Sequence, residues 1–190
     1  MMSIQNNIAA RAGRISILGL FLVSLAACSG TTGLSQDKEM NFANAGKIDP
    51  KRKEMAISVA KEMRERRERV WCVPFARNIS GIDIRGNART WWTKANGVYQ
   101  RSHTPKVGAV MAFSSSSKIP LGHVAVVSSV ESPRQISIDH ANWKRNQVSL
   151  DMTVVDVSKK NDWSAVRVMS HPNTLGSVYP VSGFILASRD

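Results

Sequence analysis

Apolar positions change their period several times along this chain. Residues 15–27 are an uncharged, mostly apolar run of 13 residues. Residues 29–49 show no period and are rich in Ser, Thr, Gly, Asn and Asp, the composition of a flexible tether. Over residues 50–70, Met55/Ala56, Val59/Ala60 and Met63 recur at helical spacing, with Lys and Arg interleaved with Glu54, Glu62, Glu65 and Glu68. Charge pairs at i,i+3 and i,i+4 support a helix there. Such a basic amphipathic helix can lie on a membrane surface; packing of its narrow apolar stripe against a domain is the favoured reading.

Two further helices are predicted, over 72–80 and about 87–95, the second carrying Trp91 and Trp92. After Gly97 the pattern becomes that of strands. Segments 108–113, 123–130, 135–143, 152–157, 165–169 and 183–187 are short, β-branched and separated by polar or Pro-containing turns. Helices followed by an antiparallel sheet give a single α+β domain, N-terminal helices packed on the sheet. The about 140 residues from Pro50 onward are enough for one core.

The N-terminus changes how the rest is read. Arg11 and Arg14 precede the apolar run, which is short of the about 20 residues a membrane-spanning helix needs. A positive start, a short apolar middle and small residues before a cut site fit a signal peptide over residues 1–27. Leu25-Ala26-Ala27-Cys28 resembles the bacterial lipobox, in which the cysteine takes a diacylglycerol and becomes the new N-terminus; an ordinary secretory signal with an incidental cysteine is the alternative. Cys28 is therefore the expected lipidation site and the membrane the expected partner there, with a tether over 28–49 and the folded domain over 50–190. Ser29 rather than Asp after Cys28 resembles the sorting rule for outer-membrane lipoproteins facing the periplasm.

Composition then narrows the partners. Net charge is +12, and cleavage before Cys28 would remove Arg11 and Arg14 and no acids, leaving +10. Basic exported proteins attract anionic partners. No nucleic-acid module is recognisable, which leaves anionic envelope polymers as the better candidate. Of two cysteines, Cys28 would be consumed by lipid. Cys72 would then be a lone thiol with histidines elsewhere in the chain, the pattern of a candidate nucleophile.

Pro74 sharpens this. It disfavours helix at Val73 and is tolerated only in a first turn, so the chain should break near residues 70–72 and restart with Cys72 at a helix start. Unpaired N–H groups and the helix dipole there stabilise a thiolate. Such sites lower a thiol from about 8.5 to between about 3.5 and 7.5. Among four histidines, His103 and His171 sit in turn-like segments and are expected to be exposed and inert. His123 opens a strongly apolar strand and His140 ends the next. A hairpin turning near Ser132-Pro133 with an even loop would put His123, His140 and Asn142 on one face and Asp139 on the other. His123 would then be the base and His140 its orienting partner. A buried structural cysteine and a zinc site lacking close ligand pairs remain open on these residues alone.

The segment from Trp71 to Trp143 resembles the CHAP domain, the cysteine, histidine-dependent amidohydrolases and peptidases of the papain-like clan. The resemblance rests on Cys72-Val73-Pro74-Phe75-Ala76-Arg77, Trp91-Trp92, Pro105-Lys106-Val107-Gly108-Ala109-Val110, Gly122-His123-Val124-Ala125-Val126-Val127 and Asn142-Trp143. Later pieces also match: Val155-Asp156-Val157-Ser158, Asn161-Asp162-Trp163-Ser164, and Tyr179-Pro180 before Gly183-Phe184. It implies a papain-like α+β fold, cleavage of peptidoglycan amide bonds as muramoyl-alanine amidase or endopeptidase, and no metal or cofactor. By motif position Cys72 is the nucleophile and His123 the base. His140 stands where many members carry Glu, and Asn142 matches a further polar residue. Trp92, Trp143 and Trp163 are groove candidates, of which Trp143 is closest to the motifs. The chain would be a monomer. A non-catalytic peptidoglycan-binding lipoprotein and an acyl transferase of the same clan are the competing expectations.

Overall fold

The computed structural model describes residues 46–171 and 173–187; the expected signal peptide, the lipidation site Cys28 and nearly all of the tether lie outside them. Helix α1 spans Pro50–Glu65 and is capped by Asp49, whose carboxylate accepts the Lys51 and Arg52 N–H groups. Its inner face is made by Ala56 and Ala60, with Ile57 and Met63 partly buried, while Met55 and Val59 of the expected stripe are exposed. The helix ends five residues before the expected limit. Residues 66–69 offer nothing apolar to bury, so the chain turns through Arg67 at φ 60°. Glu68 N–H closes on the Met63 carbonyl at 2.8 Å, and Val70 enters the core with its N–H on Asn146 Oδ1 at 2.8 Å.

Helix α2, Cys72–Ser80, has the predicted bounds and ends on Gly81 at φ 73°. A 3-10 turn at Ala88–Thr90 and the one-turn helix α3, Trp91–Lys94, replace the single helix expected over 87–95. Among the described residues seven antiparallel strands follow: β1 Gln100–Ser102, β2 Val110–Phe113, β3 His123–Ser132, β4 Gln135–Ala141, β5 Val148–Asp156, β6 Ala165–His171 and β7 Thr174–Leu186. Their order is β1-β7-β2-β3-β4-β5-β6, and β6 also pairs with β7, closing the sheet on itself. The molecule is α+β, as the sequence pattern implied.

Two strands differ from expectation for physical reasons. β1 has only three residues and a single pairing, to β7, too short for a periodic signal. β7 begins nine residues before the expected 183. Its first half pairs with β6 and its second with β2 and β1. Gly176, Pro180 and Gly183 break the β-branched pattern there, yet they let one strand bend between two neighbours. Gly183 sits under the Trp92 ring, where a Cβ would come within 2.6 Å.

Closure divides the core by strand parity. Val110, Ala112, Val124, Val126 and Ala141 pack outward against α1, α2 and α3, with Phe75, Ile79 and Trp91. Met111, Phe113, Ala125, Val127, Ile136, Ile138 and Phe184 form the inner cluster. Gly122, at φ 69°, turns the chain into β3, and a Cβ there would lie 2.6 Å from Arg89 N and 2.9 Å from the Phe113 carbonyl. A left-handed β-carbon costs about 1–2 kcal/mol before any clash, and these neighbours are backbone. Gly122→Ala is therefore expected to lose at least about 2 kcal/mol of stability by urea unfolding; a loss below about 0.5 kcal/mol would contradict this packing.

Candidate active site

Cys72 occupies the first position of α2, after Trp71 in extended conformation. Trp71 supplies no side-chain cap and Pro74 has no N–H to give. The helix start therefore keeps free donors, and the backbone N–H groups of Val73, Cys72 itself and Val124 point at the sulfur. Cys72 is a free thiol, half-buried. Burial pushes it above the ordinary thiol value, and the three N–H groups offset that only in part. The thiolate expected from the helix start is not preformed: desolvation outweighs the backbone donors.

His123 and His140 are joined directly, Nε2 of the first to Nδ1 of the second at 3.0 Å. Strand parity brings them together. The hairpin turns through Pro133-Arg134, an even loop, with Ser132 opposite Gln135. Two irregularities lie between there and the Val126–Asp139 pair. Two shifts restore the face that one would have reversed, so both rings point inward and Asp139 outward. The Asp139 carboxylate is fully buried against Lys53 of α1 at 2.8 Å, and also accepts the Asp151 N–H at 2.9 Å. Burial works to lower the Lys53 ammonium's pKa, but the hydrogen bond and charge of Asp139 prevail and raise it.

The histidine pair is 5% and 0% exposed. Trp143 stacks on His140 at 5.6 Å and meets His123 edge-on at 5.0 Å, while Phe113 closes the other side of His123 at 5.6 Å. Burial depresses both imidazoles: His123 well below its usual value, with the neighbouring ring as a second cause, and His140 to about 3. On the far side, His140 Nε2 lies 3.3 Å from Met152 Sδ.

A cleft of about 690 Å³ is lined by Cys72, His123, Asn142 and Trp143 together. Asn142 follows the end of β4 at φ 61°, and its Oδ1 accepts the Asn146 N–H at 2.9 Å, so it shapes the rim by capping the 142–147 turn. Trp163 is buried against Phe184 and Trp92 lies beside Gly183; neither lines this cleft. Trp71 does, exposed and covered by the Arg69 guanidinium at 4.1 Å. Tyr179 does also, 4.8 Å from Trp143. His103 and His171 are exposed. Among the described residues no group of three or more His, Cys, Asp or Glu is placed to hold a metal ion.

Sequence reasoning did not single out Met152, Phe113 or Trp71 for the site. The strand register carried a signal for two of them: Phe113 lies opposite His123, and Met152 opposite Ile138, two residues from His140.

Two measurements follow. Alkylation of Cys72 in the free protein should rise with pH through a midpoint above about 8.5; an inflection below neutrality would mean a preformed thiolate. The histidine pKa values are lowered in the fold, so the unfolded chain takes protons first as pH falls. Stability from neutral burial is whole above the ordinary 6.5 and is lost from there toward about 3, by up to about 1.4 kcal/mol per pH unit per histidine. Urea melts should weaken steadily from pH 6.5 to 5, and a flat profile would contradict neutral buried rings.

A family model described as the CHAP domain matches residues 64–142. No curated protein matches the chain. Among solved structures, the chain is similar to an N-acetylmuramoyl-L-alanine amidase from Staphylococcus aureus. Identity is 25%, with 60% of this chain and 30% of that chain covered and a TM-score of 0.40. Residues 64–142, the segment that carries Cys72, His123, His140 and Asn142, thus match the CHAP domain family, as the sequence motifs indicated.

Proposed function

We propose that the chain is a cell-envelope cysteine hydrolase that cleaves amide bonds in peptidoglycan, tethered by lipid at Cys28. The observation that carries this reading is the shared cleft: a thiol at a helix start and His123, backed by the buried His140, line one cavity. Arg69 and Lys118 also line it and no carboxylate does among its described residues, which suits an anionic substrate. The tether, the signal peptide and a place on the outer membrane facing the periplasm rest on the N-terminal motif.

The resting site is neutral on both sides, because burial raises the thiol and lowers the imidazoles. Proton transfer therefore accompanies attack. His123 takes the Cys72 proton as sulfur bonds to the substrate carbonyl carbon, and the carbonyl π pair moves onto oxygen. The N–H groups at the start of α2 hold that oxyanion. Collapse breaks the C–N bond, and His123 returns its proton to the leaving amine. Water, deprotonated by the same ring, then releases the acyl group and restores the thiol. His140 stays neutral and holds the bond that orients His123. No step requires a metal or organic cofactor.

The half-buried, protonated thiol favours one other reading, a peptidoglycan-binding lipoprotein with an idle cleft. Digestion of purified peptidoglycan by the full chain distinguishes them. Cys72→Ala and His123→Ala should each lower the rate by at least about 1,000-fold with the fold intact, and His140→Ala should cost less. Stem peptides freed from muramic acid would identify an amidase, shortened stems an endopeptidase. Full activity in Cys72→Ala would overturn the mechanism, and binding without cleavage would leave the idle cleft. Metabolic lipid labelling lost in Cys28→Ala supports the tether; labelling retained would overturn it.

A further inference from the structure

Met152 has no place in the mechanism above, yet among the described residues it is the one partner that the outer nitrogen of His140 meets. Its sulfur lies 3.3 Å from His140 Nε2. His140 is fully buried, so bulk solvent does not reach this nitrogen. A thioether has lone pairs and no proton. The contact is a hydrogen bond only if His140 carries its proton on Nε2.

That single fact propagates. A neutral imidazole has one N–H and one acceptor nitrogen. With Nε2 protonated, His140 Nδ1 is the acceptor, and the 3.0 Å contact must be donated by His123 Nε2–H. His123 then keeps its free lone pair on Nδ1, the nitrogen left to take a proton from the cleft. The opposite tautomer of His140 would donate from Nδ1 to His123 Nε2. His123 would then carry its own proton on Nδ1 and have no lone pair for the thiol.

We infer that Met152 is a positioning residue, whose thioether locks the tautomers of both histidines so that His123 presents Nδ1 as the base. The fold holds Met152 for this task. It lies opposite Ile138 on the inner face, beside a register shift between Ile138 and His140. The shift accompanies Asp151 at φ 50°. Asp139 fixes that residue by accepting its N–H at 2.9 Å while its other oxygen meets Lys53 at 2.8 Å. The carboxylate that faces away from the histidines thus anchors the irregularity next to the sulfur.

The catalytic consequence rests on the proposed hydrolase activity, but the tautomer assignment does not, and the two are measured separately. ¹⁵N-resolved NMR of the ring nitrogens in the full chain should show His140 and His123 both protonated on Nε2. A native His140 protonated on Nδ1 would overturn the inference outright, whatever the protein hydrolyses. Met152→Leu keeps the apolar volume and removes the acceptor. It should add signal from the Nδ1–H form of His140 and lower kcat by about 2- to 10-fold, the factor that corresponds to one hydrogen bond, with KM unchanged. An unmixed Nε2–H signal in a folded Met152→Leu protein would also overturn it. Absent hydrolysis by the wild type alongside the expected tautomers would sink the enzyme reading alone.

Discussion

The site depends on a counting constraint in the β3–β4 pair. Side chains on paired strands share a face only when loop residues and inserted residues together keep the alternation in phase. Here an even loop and two register shifts do so. An odd number of shifts would have turned His140 toward the helices and Asp139 inward. The same parity sends Asp139 outward to the partly exposed Lys53, forming an ion pair that ties α1 to the sheet. One alternation therefore serves both the chemistry inside and the helix packing outside. A one-residue insertion in either strand would disrupt both.

Burial sets the character of the chemistry. Trp143 packs on both histidines and Phe113 on His123, and Tyr179 backs these two rings. Low polarity strengthens the His–His hydrogen bond and penalises any charge placed there. A resting ion pair is thereby disfavoured, and in the proposed mechanism charge separation waits until a substrate covers the cleft and supplies an oxyanion for the helix start. The backbone donors around Cys72 are already in place for that moment, so little reorganisation is needed when charge develops.

Much of this was legible in the sequence. Pro74 fixed the break before α2, and the turn residues and apolar alternation gave the β3–β4 hairpin and the face shared by His123 and His140. What the sequence hid has physical causes. Strand β7 is disguised by Gly176, Pro180 and Gly183, residues that ordinarily weaken a strand and here allow it to serve two neighbours. The end of α1 is set by the need to bury Val70, a tertiary demand that the charged run 66–69 does not announce. The raised thiol was missed because a helix start is a local feature, whereas desolvation depends on everything packed around the sulfur.

Rigidity is unevenly distributed around the cleft, and that bears on specificity. The thiol and both histidines sit on a helix start and two central strands, where backbone hydrogen bonds and core packing hold them. The rim comes from loops: Arg69 and Trp71 between the first two helices, Lys118 and Leu121 ahead of β3, and Trp143 after β4. Reacting groups on a fixed frame keep their mutual geometry, while loop side chains adjust to what they grip. The two rim cations reach the cleft from different loops, so they can meet anionic groups of a bound ligand without disturbing the frame. On the proposed hydrolase reading, changes in the rim should therefore alter which peptide is held, and changes in strand parity whether any bond is cut.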